Sequence, residues 1–135
     1  MTSAEFIFVY GTLRKNVLPA KHELLTRYCN YFSNGYLQGI LYEISGYPGA
    51  IESGNPADKV VGEIYTVNNK SVLSLLDEYE QCSSQFPAPH EYVRKKLPIF
   101  LTTGNFISAW VYVYNHGTSH LARITSGDYT RFLKK

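Results

Sequence analysis

A chain of 135 residues with 13 Lys+Arg against 11 Asp+Glu carries a formal charge of only +2, which argues against a general binder of nucleic-acid backbones and against an acidic disordered chain. Hydrophobic residues at 44% and charged residues at 18% are the balance of a globular protein, and the length suits one domain, residues 1–135, whose core needs no disulfide staples. Aromatic residues reach 15%, twelve of them Tyr, a composition that favours strands and could also line a small-molecule cavity.

The start, Met1-Thr2-Ser3-Ala4-Glu5, lacks the basic region and long apolar stretch of a signal peptide, and no run approaches the ~18 apolar residues of a membrane span. Two cysteines, Cys29 and Cys82, make no disulfide framework and read as free thiols. The expected setting is the cytoplasm, with no membrane and no nucleic acid as partner.

Phe6-Ile7-Phe8-Val9 is a short apolar run that predicts a central strand buried on both faces. The chain leaves it through Tyr10-Gly11-Thr12-Leu13-Arg14. Ala20–Cys29 predicts a helix, with Pro19 suited to its first turn and Lys21, Glu23 and Arg27 turned to water. Tyr31–Ile44 is aromatic and β-branched but interrupted by Gly35 and Gly39, so it reads as two strands or one bent strand with bulges. Ser45-Gly46-Tyr47-Pro48-Gly49 is turn chemistry, and Val60–Val67 is a further strand. Lys70–Glu80 predicts a second helix, capped by Asn68 or Asn69. Residues 81–90, with Pro87 and Pro89, predict a loop. Tyr92–Leu101 and Ile107–Tyr114 predict a hairpin around Gly104-Asn105, and Asp128–Leu133 a short terminal helix. About six strands and two or three helices, without βαβ alternation, predict an α+β fold: a mixed, mostly antiparallel sheet curling toward a small barrel.

The second helix carries the first chemical signal. On a wheel of roughly 100° per residue, Val72, Leu73 and Tyr79 fall within about 60° of Leu76, and Glu80 at about 40°. Glu80 is therefore an acid aimed where the apolar residues aim, whereas Glu78 points to the opposite face and Asp77 to the flank. Burial and the negative end of the helix macrodipole both disfavour its charged form, as a general acid or base working near neutral pH requires. The competing reading turns Glu80 to water, or pairs it with Arg94 or Lys95.

The second signal is the glycine after the first strand. Such a loop can turn successive backbone N–H groups into a cleft that holds a carboxylate or an oxyanion, or it can be a plain turn. It lacks the GxxxxGK[ST] spacing of a phosphate loop. The third is the strand Ile107–Tyr114. Ile107, Ala109, Val111 and Val113 form an aliphatic core face. Ser108, Trp110, Tyr112 and Tyr114 form an aromatic face that suits a cavity wall, an interface or a second packed layer. Weaker candidates are Glu63 as a rival acid or a structural hydrogen-bond partner, Cys82 as a nucleophile near His90, and His116 with His120 as metal ligands. Gly117 disfavours the helix that would align the two histidines, so no metal is expected.

Taken in order, Phe8-Val9-Tyr10-Gly11-Thr12-Leu13-Arg14, Gly39-Ile40-Leu41-Tyr42, Tyr47-Pro48-Gly49-Ala50, Val61-Gly62-Glu63-Ile64-Tyr65, Leu76-Asp77-Glu78-Tyr79-Glu80, Tyr92-Val93-Arg94 and Ala109-Trp110-Val111-Tyr112 resemble the gamma-glutamylcyclotransferase-like family. The likeness spans roughly residues 6–133, and the pairing of YGTLR with a downstream LDxxE is its specific part. It implies a small mixed β-barrel flanked by helices, and an enzyme that converts a γ-glutamyl amine or peptide to 5-oxoproline and a free amine without metal or organic cofactor. It also implies that the substrate is a small glutamyl-type molecule, cradled by the backbone of Tyr10, Gly11, Thr12 and Leu13. Glu80 would then be the catalytic acid/base, with Tyr112 and Tyr92 lining the pocket. The chain departs from the family in Gln81 and Asn16, where Gly is common, and in its long Pro-containing 81–90 loop. Two other readings stand beside this one: a non-catalytic small-ligand-binding module of the same fold, and an acyl-transfer or amide-cleaving relative using the same acid on another substrate.

Overall fold

A computed structural model of the protein describes residues 5–11, 14, 19–44, 47–69, 71–79 and 92–133, leaving aside the side chains of helical residues 19–22, 24, 78 and 79. In chain order the elements are β1 (Phe6–Val9), α1 (Pro19–Tyr28), β2 (Cys29–Glu43), β3 (Pro48–Glu52), β4 (Lys59–Val67), α2 (Ser71–Tyr79), β5 (Tyr92–Leu101), β6 (Phe106–Tyr114), β7 (Ala122–Arg123) and α3 (Tyr129–Leu133). The strand path β2-β4-β1-β6-β5 returns on itself through a β2–β5 pairing, so five strands close a barrel. Its one parallel contact is β1 with β6, at Ile7 opposite Trp110, and the remaining pairs are antiparallel. This is the small mixed barrel that the sequence predicts.

Strand β2 is one bent strand, with its irregularity between Tyr31 and Ser33, rather than two. Two short strands differ from the sequence reading. Residues read as a turn open β3, which pairs with β2 through Pro48 opposite Glu43, and a proline is tolerated at a strand's first position. The two-residue β7 lies against Tyr42 and Glu43. Asn69 supplies the α2 cap: its Oδ1 accepts from the Ser71 N–H at 3.0 Å and from the Ser71 hydroxyl at 2.8 Å.

Alternation along the strands makes two apolar layers. Phe8, Leu41, Val60, Ile64, Ile99 and Val111 fill the barrel. Their neighbours Ile7, Val9, Tyr65 and Tyr112 point outward, into a second layer shared with Leu25 of α1 and with Val72, Leu73 and Leu76 of α2. The aromatic face of β6 is thus a second packed layer, and Val72, Leu73 and Leu76 are buried as the wheel gives. Among the described residues no helix is long and apolar enough to cross a membrane.

Leu76 is fully buried, whereas Leu75 beside it is 40% exposed. Leu76→Ala is expected to cost about 2–5 kcal/mol in urea unfolding, from lost transfer energy and the cavity left behind. Leu75→Ala should stay within about 0.5 kcal/mol of the parent. Equal effects of the two would contradict this placement of α2.

Candidate functional site

The end of β1 is held from several directions. Tyr10 is buried, and its hydroxyl donates to the Tyr112 carbonyl at 2.6 Å while accepting the Ala50 N–H at 3.2 Å. Gly11 then passes so close to β3 that a Cβ there would stand 2.6 Å from Pro48 Cγ, which requires glycine. The Tyr92 hydroxyl donates to the carbonyl of the same Pro48 at 2.5 Å. Tyr10, Gly11, Tyr92 and Tyr112 therefore come together at one end of the barrel. The side-chain hydroxyls of Tyr10 and Tyr92 are engaged with main chain. Thr12 and Leu13 lie outside the described residues.

Tyr112 also reaches α2. Its hydroxyl donates to Asp77 Oδ1 at 2.7 Å, and Arg94 binds the same carboxylate with Nε on Oδ1 at 2.8 Å and Nη2 on Oδ2 at 3.2 Å. Arg94 and Tyr112 are direct cross-strand partners of β5 and β6, so their side chains stand on one face beneath the helix. The Arg94 guanidinium lies 4.5 Å from the centre of the Trp110 ring, a cation–π contact. Asp77, which the wheel leaves on the flank, is the residue that sequence reasoning missed here. Glu80 follows it by three positions in the sequence and lies outside the described residues, as do Cys82 and the 81–90 loop.

A second polar group sits where the chain re-enters at Arg14. Its N–H donates to the Gly11 carbonyl at 3.0 Å, and its guanidinium, buried to 8% exposure, reaches Glu63 Oε2 at 3.4 Å, the Val61 carbonyl at 3.4 Å and Asp128 Oδ1 at 2.9 Å. Glu63 is buried as well, and its other oxygen accepts the Tyr65 hydroxyl at 2.7 Å. The rival acid is therefore a structural partner of an arginine and a tyrosine. Burial, followed by the Glu63 hydrogen bond, pushes the Tyr65 hydroxyl far above its ordinary pKa. Asp128 caps α3, accepting from the N–H groups of Thr130 and Arg131 and from the Thr130 hydroxyl. It is seated by Gly127, whose φ is +68° and whose carbonyl accepts the Val61 N–H at 2.7 Å.

Elsewhere, burial pushes the Cys29 thiol up to about 11, which leaves it unreactive near neutral pH. The His116 ring stands edge-on to Tyr114 at 5.7 Å. A cleft of about 330 Å³ lies between β7 and α3, lined by Arg123, Ile124, Thr125, Ser126, Arg131 and Phe132. Among the described residues, no predicted site residue borders it.

Burial alone would raise the Asp128 pKa, but the bonds from Thr130 and Arg14 and the Arg131 N–H outweigh it and hold the carboxyl below its ordinary 3.8. A group depressed in the folded state contributes stability that is complete above its unfolded pKa and is lost as pH falls through the folded one. Melting temperature should therefore fall below pH ~4, and Asp128→Asn should flatten that acid limb while lowering stability at pH 7. An unchanged acid limb in Asp128→Asn would remove Asp128 from the acid response. Asp58, also lowered, through Ser53 and Arg123, supplies a remaining slope in the variant.

Comparison with known proteins shows the family and the fold. The profile of the family described as gamma-glutamyl cyclotransferase, AIG2-like, matches residues 7–131. A protein of Methanocaldococcus jannaschii, named as a candidate gamma-glutamylcyclotransferase, is 32% identical over 126 residues, covering 93% of this chain and 95% of its own. The gamma-glutamylcyclotransferase family protein YtfP of Escherichia coli K12 is 33% identical over 91% of this chain and 94% of its own. The solution structure of E. coli YtfP superposes with a TM-score of 0.61 at 27% identity, over 91% of this chain and 94% of that one. A crystal structure of an AIG2-like protein from Mus musculus shares the fold with a TM-score of 0.69 at 24% identity, over 90% and 86% of the two chains. The chain belongs to the gamma-glutamyl cyclotransferase, AIG2-like family.

Proposed function

We propose that this protein is a cofactor-independent gamma-glutamylcyclotransferase, which converts a γ-glutamyl amine or peptide to 5-oxoproline and free amine with Glu80 as general acid/base. One observation supports the reading beyond family membership. Tyr112 is bonded through its carbonyl to Tyr10, which precedes Gly11, and through its hydroxyl to Asp77, which precedes Glu80 by three residues. The two motif segments thus meet on one residue, Tyr10 at its main chain and Asp77 at its side chain.

The chemistry assigns a task to each segment. The α-ammonium of a γ-glutamyl substrate cannot attack until it loses a proton. Glu80 takes that proton, and the freed amine attacks the substrate's own γ-carbonyl to close a five-membered ring. Because the attack is intramolecular, the protein's main contribution is to hold the folded conformer. Backbone N–H groups of Gly11, Thr12 and Leu13 stabilise the oxyanion as it forms. When the tetrahedral intermediate collapses, the amide C–N bond breaks, Glu80 returns the proton to the leaving nitrogen, and the second proton of the ring nitrogen passes to the same amine, which leaves as its ammonium. Tyr92 and Tyr112 border the glutamyl moiety.

The test is a screen of γ-glutamyl amines, γ-glutamyl dipeptides and glutathione for 5-oxoproline release, followed by variants. Glu80→Gln keeps the shape but cannot take the proton, so kcat should drop about 10²–10⁴-fold while a glutamyl ligand still binds. Glu78→Gln, on the opposite face of the wheel, should leave kcat near the parent value. Near-full kcat in Glu80→Gln would overturn the mechanism. Binding of 5-oxoproline without turnover of any γ-glutamyl compound would instead favour the non-catalytic binding module.

A further inference from the structure

We propose that Asp77 is a positioning residue, which acts on the reaction through the Tyr112 hydroxyl and sets the orientation of that ring. The inference rests on the reading above, in which Tyr112 borders the substrate. An acid in the last turn of a helix faces the negative end of the macrodipole, where a cation would be favoured, so helix stability does not account for Asp77. Its surroundings do. The carboxylate is only 19% exposed and receives three hydrogen bonds, one from Tyr112 and two from Arg94.

Arg94 is in turn held in place. Its guanidinium lies over Trp110, whose indole N–H donates to Glu5 Oε2 at 3.2 Å. Asp77 therefore receives the Tyr112 hydroxyl from a fixed platform rather than from a freely rotating side chain. Tyr112 is anchored at both ends, by the Tyr10 hydroxyl on its carbonyl and by Asp77 on its own hydroxyl. Removing Asp77 leaves the ring in its apolar layer but takes away the carboxylate that its hydroxyl bonds at 2.7 Å. A reactive geometry is sensitive to such shifts, and a displacement of about 1 Å can lower rate on the order of 10²-fold.

The experiment is a double-mutant cycle in kcat/KM, with the substrate found in the screen and a melting curve for each variant. Asp77→Ala and Tyr112→Phe should each lower kcat/KM by about 10–100-fold, and the double variant should be no worse than Tyr112→Phe alone. Asp77→Asn retains an acceptor for the hydroxyl and should recover most of the loss. It also serves in place of Asp77→Ala should the latter fail to fold. Additive losses in the double variant, or parental kcat/KM in Asp77→Ala, would overturn the proposal. Side-chain NMR of labelled tyrosine gives a readout independent of turnover. The Tyr112 ring signals should move in Asp77→Ala and stay near parental in Asp77→Asn, and coincident spectra of parent and Asp77→Ala would also overturn it. Failure of the functional reading looks different: the parent releases no 5-oxoproline from any γ-glutamyl compound, while the Tyr112 signals still depend on Asp77. In that outcome Asp77 orients the ring, but the proposal for this reaction falls with the reading.

Discussion

Strand β2 lends both of its edges to the barrel. Residues Cys29–Gln38 pair with β4, while Gly35–Leu37 pair with β5 on the opposite edge and Gly39–Glu43 continue into β3. Pairing with β5 stops at Ile99, one residue before Pro98, which has no N–H to donate. Closure there leaves β3 as an extension of the barrel wall at its other end. Pro48 at the start of β3 is then free to meet Gly11 and the Tyr92 hydroxyl. The candidate site is assembled at the place where the closed barrel stops and β3 continues.

Arg14 ties that end of the molecule together. A cation at 8% exposure is expensive to desolvate, and its carboxylate partners come from two distant parts of the chain, Glu63 in β4 and Asp128 at the cap of α3. A buried ion pair is weak as a source of net stability against well-packed apolar residues. What it supplies is geometry. The segment leaving β1 is pinned at Gly11 by Pro48 and at Arg14 by β4 and α3, so the terminal helix supports a loop more than a hundred residues away in sequence.

Much of this was legible in the sequence for definite reasons. The apolar run Phe6–Val9 could only be a central strand, and the spacing of Val72, Leu73 and Leu76 fixed the buried face of α2. Strands β3 and β7 were not legible, because a proline-led strand reads as a turn and a two-residue strand has no period. The Asp77 cluster escaped for a geometric reason. Strand bounds of Tyr92–Leu101 and Ile107–Tyr114 do not fix which residue of β5 faces which residue of β6. The observed register places Phe100 opposite Phe106 and Arg94 opposite Tyr112. That register brings Arg94, which the sequence offers only as a candidate partner of Glu80, beside a tyrosine that shares the Asp77 carboxylate.

The two acids that the sequence singles out are separated by what holds them. Glu63 has one oxygen on the Tyr65 hydroxyl and the other on Arg14, in a layer closed to water. A base that takes and returns a proton in each turnover must be able to lose its charge without disturbing its neighbours. Protonating Glu63 would remove half of the carboxylate pair around Arg14, and that cation anchors the segment carrying Gly11. The same charge that makes Glu63 a good anchor makes it a poor shuttle. On α2, Asp77 already meets the demand of Arg94. Under the proposed mechanism, structural charge stays with Glu63 and Asp77 and proton transfer falls to Glu80.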